Sequence, residues 1–132
     1  VGDSKSKAEH IAYGIPMGAA DERRRSLDKV AKALIADGVP VWIGSGGERT
    51  KAVAEEAGAA LNLWEAPAAA VAAAATTGEV NWGGELPSDT GQARLLLESL
   101  ATAGATWAVI ARPGPIDAVS TITTSYGGKE PV

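Results

Sequence analysis

Short apolar runs alternate with longer amphipathic segments along this chain, and glycine, proline or aspartate residues separate them. The clearest unit is Val39 to Gly58, in which the uncharged run Val41 to Ile43 suits a strand buried on both faces of a parallel sheet. A helix is predicted over 48–57, with Gly58 at its C-cap. The pattern then repeats, and it predicts strands at 59–64, 79–82 and 106–111. It also predicts a helix over 67–78, a helix that is capped by Ser88 or Asp89 and ends before Gly104, and a last helix around 116–122.

A further amphipathic helix is predicted ahead of this unit, between Asp21 and Gly38. Its apolar residues recur at i, i+3, i+4, i+7 and i+8, which indicates a single buried stripe. We expect this helix to pack on the sheet through Leu27, Val30 and Leu34. A shorter helix is predicted at 8–13.

Four consecutive strand-helix units with short loops require a parallel sheet with right-handed crossovers, so the fold class is α/β. The 132 residues are expected to form a single domain. Two architectures remain open. One is four units of a TIM (β/α)8 barrel, and the alternative is a small open doubly wound sheet.

The turn after the first predicted strand is rich in glycine: Gly44, Ser45, Gly46 and Gly47 come directly before a helix. Backbone N–H groups at a helix N-terminus attract anions, and glycine lets a phosphate approach closely. The dinucleotide fingerprint G-x-G-x-x-G fails here because Arg49 stands at its third glycine, and no P-loop lysine follows. From the residues alone, a phosphate site and a purely structural turn are both open.

Composition narrows the classes of function. The net charge of −4 argues against a nucleic-acid surface, and His10 is the sole histidine, which leaves metal chemistry poorly supported. No apolar run is long enough to span a membrane. The absence of cysteine excludes thiol chemistry and suits a reducing cytoplasm, where we expect the protein to be located.

Four segments together resemble a known family: the C-terminal half of bacterial luciferase-like oxidoreductases, which use a flavin or a deazaflavin. The segments are AEHIAYGIP at 8–16, PVWIGSGGERT at 40–50, VNWGGELP at 80–87 and AGATWAVIA at 103–111. The resemblance implies a (β/α)8 barrel of which this chain supplies the C-terminal half. The sheet is then expected to be completed by a preceding N-terminal half or by a second copy of the chain, the first being favoured.

The resemblance also implies a cofactor, either coenzyme F-420 (an 8-hydroxy-5-deazaflavin) or FMN. Its phosphate is expected on the backbone N–H groups of Gly44, Ser45, Gly46 and Gly47, with the Ser45 hydroxyl and Arg49 as further donors. Asp3 and Arg112 are candidates for contact with substrate, and no catalytic residue is assigned. The other candidates at the expected carboxyl ends of strands are Trp64, Glu65, Trp82 and Glu85, although core packing is the favoured role of both tryptophans.

Two hypotheses of function follow. The first is an oxidoreductase, or an FMN-dependent monooxygenase, that transfers hydride between its cofactor and a small organic substrate. The alternative is a non-catalytic half-barrel that packs against another subunit.

Overall fold

The computed structural model of the chain describes residues 7–44 and 47–111. Within these residues it contains five helices and four strands. The helices are α1 (Lys7–Ala12), α2 (Ala20–Ala36), α3 (Glu48–Ala57), α4 (Ala68–Ala75) and α5 (Thr90–Thr102), and the strands are β1 (Trp42–Gly44), β2 (Ala60–Trp64), β3 (Val80–Gly84) and β4 (Ala105–Ile110).

All four strands form one parallel sheet in the order β1-β2-β3-β4, so the α/β class and the parallel sheet are confirmed. A doubly wound sheet reverses its strand order at a switch point. The described strands show no reversal, since each follows its predecessor along the chain and across the sheet. Every crossover therefore steps in the same direction, an order found in successive units of a barrel and also in one half of a doubly wound sheet.

A single core lies between one face of this sheet and helices α3, α4 and α5. Strand residues on this face alternate with residues of the opposite face, because successive side chains of a strand point to opposite sides. The sheet contributes Ile43, Leu61, Leu63, Val80 and Trp82 to the core, and the helices contribute Val53, Ala54, Ala57, Val71, Ala93, Leu97 and Leu100.

Local signals fix the ends of two of these helices as predicted. Helix α3 ends at Gly58, whose φ of 71° is left-handed and suits glycine. Of the two predicted caps of α5, Asp89 takes the position, and its Oδ1 accepts a hydrogen bond of 2.8 Å from the backbone N–H of Gln92. The C-terminal end of α3 and the N-terminal end of α5 therefore lie at positions that the sequence predicts.

The predicted packing of α2 is wrong in two respects: its main partner is α3 and not the sheet, and two of the three residues named for the contact are exposed. This helix packs against α3, with Ala31 buried and Leu27 partly buried against the core. Val30 and Leu34 remain 56% and 40% exposed. Leu27 and Ala31 lie one turn apart and form the ridge that meets α3, whereas Val30 and Leu34 lie on a neighbouring ridge that points elsewhere.

Several sequence predictions lie outside the described residues: the substrate candidates Asp3 and Arg112, the turn residues Ser45 and Gly46, and the last helix around 116–122. In the part of the chain that the structure describes, no helix is both long and apolar enough to cross a membrane.

Candidate functional site

The glycine turn lies at the carboxyl end of β1, at the point where α3 begins. Gly47 is the N-cap residue of α3, and its carbonyl accepts hydrogen bonds of 3.0 and 3.1 Å from the N–H groups of Thr50 and Lys51. Gly47 itself has no side chain with which to cap this helix end. A Cβ atom built on Gly44 or on Gly47 would meet no atom of the described residues within 4 Å. Within the described part of the chain, the N-terminus of α3 therefore borders open space, a geometry that suits an anion.

A pocket of about 330 Å³ lies beside Gly44, between the ends of β1 and β2 and the first turns of α3 and α4. Lys51 is the one cationic residue among the described residues that line it, and the Lys51 Nζ also pairs with the Glu48 Oε1 at 2.6 Å. Sequence reasoning missed Lys51, although a lysine in the first turn after a glycine turn is a recognisable signal. The pocket is lined by Gly44, Lys51, Asn62, Leu63, Trp64, Ala66 and Ala70.

Arg49, the predicted phosphate ligand, lies at a different surface. It lines a groove between α2 and α3 together with Arg24, Arg25 and Asp21. A hydrogen bond and the positive charge of Arg24 lower the pKa of Asp21, and the charges of Arg49 and Arg25 lower it further. Arg49 thus lies within electrostatic reach of α2, and its contact with a phosphate stays a prediction.

The two candidate tryptophans have opposite environments. Trp82 is 3% exposed, and its indole N–H donates to the Ala66 carbonyl at 3.0 Å, which confirms the predicted role in the core. Trp64 is 58% exposed and lines the pocket. Because Leu63 points toward the helices, the next residue on β2 must point to the other face of the sheet. Core packing is therefore the wrong role for Trp64.

The face of the sheet away from the helices, here called the open face, carries most of the exposed aromatic surface. Trp42 on β1 and Trp107 on β4 have ring centroids 5.7 Å apart. Their strands are the two edges of the sheet, about 14 Å apart at the usual spacing of parallel strands. The two side chains therefore lean toward each other across β2 and β3.

Two asparagines lie next to each other in the middle of the open face. Asn62 on β2 is the register partner of Asn81 on β3, and Asn81 is in turn the partner of Trp107 on β4. Asn81 is 0% exposed, and its Oδ1 accepts a hydrogen bond of 3.0 Å from the Thr106 hydroxyl. Sequence reasoning missed both residues. Their signal is a single polar residue within each of two consecutive apolar strands, ALNLW and VNWGG.

Glu65 and Glu85 directly follow β2 and β3, so both lie at the carboxyl end of the sheet, as the glycine turn does. Glu85 is exposed. Glu65 has a φ of +50°, the one positive value at a residue other than glycine among the described residues, and its N–H donates to the Gly83 carbonyl at 2.6 Å. A left-handed conformation strains any residue with a Cβ atom, and such strain is often found at functional sites.

Replacing Glu65 by glycine is therefore expected to give a more stable protein than replacing it by alanine, by about 1 kcal/mol. Both variants lose the carboxylate, so the pair isolates the backbone effect. Urea unfolding of the two variants measures the difference. At ordinary positions alanine is the more stabilising residue, so an equal or higher stability of Glu65→Ala would show that Glu65 is not left-handed in solution.

Compared with protein-family models, curated proteins and solved structures, the chain matches none. No cluster of three or more acidic or histidine side chains suited to a metal ion occurs in ranges 7–44 and 47–111. Function is therefore inferred from the glycine turn, the pocket beside it and the open face.

Proposed function

We propose that this chain is the C-terminal half-barrel of a luciferase-like oxidoreductase, and that it binds coenzyme F-420 or FMN through the phosphate. The strand order supports the half-barrel, because four parallel strands without a reversal place α3, α4 and α5 on one face. In a barrel the other face is the interior, and this is the face that carries Trp42, Trp64 and Trp107 here. Active sites of such barrels lie at the carboxyl ends of the strands, where the glycine turn is found.

The observation that carries the proposal is the open space at Gly44 and Gly47 beside the N-terminus of α3. A phosphate there would accept hydrogen bonds from backbone N–H groups and would be favoured by the positive end of the helix dipole. Lys51 supplies a positive charge at the neighbouring pocket. The residues present therefore fit the phosphate of either cofactor.

When bound, a flavin or deazaflavin supplies the hydride chemistry, and the protein binds it, orients it and excludes water. In this chain the turn and Lys51 would bind the phosphate end of the cofactor. The exposed ring of Trp64, next to the same pocket, offers an apolar surface that would exclude water from it. Contact of Asp3 and Arg112 with substrate remains part of the proposal.

Replacing Gly47 by valine tests the phosphate site. Gly47 has φ and ψ of −107° and 136°, which valine adopts readily, and its Cβ would enter empty space. The fold should therefore persist, while the side chain fills the region where the phosphate would lie. We expect affinity for FMN to fall about tenfold or more, because one hydrogen bond to a charged group contributes about 1.5–3 kcal/mol. Quenching of flavin fluorescence in a titration measures the affinity.

The matched control is Gly78→Val. A Cβ atom at Gly78 would also meet no atom of the described residues within 4 Å. This glycine precedes β3 and therefore lies at the amino end of the strands, away from the glycine turn. It should leave FMN binding unchanged. Equal affinity of the wild type and a folded Gly47→Val protein would contradict the phosphate site. Parallel titrations with FMN and coenzyme F-420 identify the preferred cofactor.

The alternative function is a non-catalytic half-barrel that packs against another subunit, which includes a second copy of the chain. Exposed apolar side chains support it, since exposed apolar patches mark interaction sites: Trp107 and Val109 on β4, and Val30 and Leu34 on α2. Sedimentation velocity distinguishes the two functions when combined with the titrations. Self-association without binding of either cofactor favours the alternative.

A further inference from the structure

The open face contains a buried amide group that is only half satisfied. Asn81 is fully buried, and its Nδ2 atom has no hydrogen-bond partner among the described residues. Its Oδ1 atom is 3.0 Å from the Thr106 Oγ1, which also lies 2.9 Å from the Glu79 Oε1. An unpaired amide in a buried position is costly, so its persistence needs an explanation.

Exchanging the Oδ1 and Nδ2 positions of the Asn81 side chain still leaves one of its polar atoms without a hydrogen-bond partner among the described residues. Thr106 has one hydroxyl proton and can donate it to Glu79, while accepting a hydrogen bond from an Asn81 Nδ2 atom placed beside it. The Oδ1 atom then takes the position that lacks a partner. In either orientation, one polar atom of Asn81 on the side away from Thr106 is unpaired within the described part of the chain.

The neighbours of Asn81 form a row that leads to the glycine turn. Gly44, Asn62, Asn81 and Trp107 are successive register partners across β1, β2, β3 and β4. Two amide groups thus lie one and two strands away from the turn, or about 5 and 10 Å at the usual strand spacing. No hydrogen bond links these two side chains in the described structure, so both amides can serve another partner.

An aromatic surface lies next to this row, two residues further along β2 and β3. The ring of Trp64 crosses to β3, where its Cε3 atom would be 2.9 Å from a Cβ atom at Gly83. Gly83 therefore leaves room for the ring, which remains 58% exposed. An exposed indole beside two amide groups offers a stacking surface and a hydrogen-bonding edge at one place.

We propose that Asn62 and Asn81 bind the polar edge of a flat heteroaromatic ring whose face stacks on Trp64. The ring class is a cyclic imide, which presents an N–H donor between two carbonyl acceptors and so complements the donor and acceptor of an asparagine amide. This inference rests on the proposed function, because flavins and 5-deazaflavins both carry such an edge. It adds the residues that recognise the ring, which are distinct from those that hold the phosphate.

Trp107 controls access to Asn81. Its side chain leans toward Trp42 across β3, which brings it over Asn81, yet its ring is 61% exposed. Because most of this side chain is exposed, it can move without a large loss of packing. Binding at Asn81 should therefore move Trp107 and change the tryptophan fluorescence of the protein.

Riboflavin is the probe, because it carries the ring and lacks the phosphate. The wild-type chain is expected to bind riboflavin with quenching of flavin fluorescence. Asn81→Leu should weaken that binding by about tenfold or more, since the leucine keeps the volume and removes both polar atoms. The same variant should have an unchanged or higher melting temperature, because a half-satisfied buried amide is replaced by an apolar group of similar size.

Asn62→Leu should weaken riboflavin binding as well, whereas Leu95→Ala, at an exposed leucine of α5, should not. The proposal is overturned by a wild-type chain that does not bind riboflavin, or by a folded Asn81→Leu protein that binds it normally. A lower melting temperature with normal binding would assign Asn81 a structural role through an internal water. Gly47→Val separates the two sites: it should weaken FMN and leave riboflavin unchanged, so either site can fail without the other.

Discussion

Replacing Trp82 by alanine is expected to lower the free energy of unfolding by about 3–5 kcal/mol, the largest effect of any variant considered for this chain. Trp82 is 3% exposed, packs between the sheet and the helices, and satisfies its indole N–H with the Ala66 carbonyl at 3.0 Å. The substitution removes that packing, leaves a cavity and deprives the partly buried Ala66 carbonyl of this donor. Urea denaturation followed by far-UV circular dichroism measures the loss.

Trp64→Ala is the matched control, because it removes the same side chain from the neighbouring strand. Trp64 is 58% exposed on the open face, so its loss should change the free energy of unfolding by less than about 1 kcal/mol. The same variant should weaken riboflavin binding if the ring stacks there. Equal destabilisation by the two substitutions would contradict the assignment of these residues to opposite faces of the sheet.

Leu100→Ala has the second largest expected effect, about 2–5 kcal/mol. Leu100 is 1% exposed on α5 and belongs to the central core. Leu34→Ala provides the contrast: Leu34 is 40% exposed on α2, and we expect a loss of less than about 1 kcal/mol. Thermal and urea unfolding of both variants test this ranking, and a loss of several kcal/mol for Leu34→Ala would show that its exposed face is covered in solution.

The two faces of the sheet are expected to differ in what they contribute to the protein. The core face determines stability through Trp82 and Leu100, whereas the open face and the glycine turn carry the proposed binding groups. Substitutions of the core are therefore expected to change stability, and Gly47→Val and Asn81→Leu are expected to change binding. This separation makes the proposed function testable without confusion from unfolding.

Exposed apolar side chains also lie at both edges of the sheet. Trp42 is on β1, and Trp107 and Val109 are on β4. Edge strands with unpaired N–H and C=O groups favour association. In the proposed half-barrel these edges would pair with further strands, and the open face would become the barrel interior. The alternative packing against another subunit uses the same surface, so measurements of cofactor binding and of association must be made on the same preparation.

The sequence by itself determined the order of the elements and the parallel sheet. Short apolar runs separated by amphipathic segments leave few other arrangements, because parallel strands need helical crossovers. It also determined the helix end at Gly58 and narrowed the cap of α5 to Ser88 or Asp89, since left-handed φ and side-chain capping are local properties of one or two residues. The glycine turn was likewise visible as a pattern of residue types.

Only the tertiary structure decided which side chains face which neighbour. Periodicity showed that α2 has apolar residues, but the position of α3 decided that Ala31 is buried and that Val30 is not. Trp64 and Trp82 look alike in sequence, and the register of β2 and β3 placed them on opposite faces. The pairing of Asn62 with Asn81 joins residues nineteen positions apart. Such contacts depend on strand register and helix docking. Both arise from the whole chain, so a local sequence pattern does not predict them.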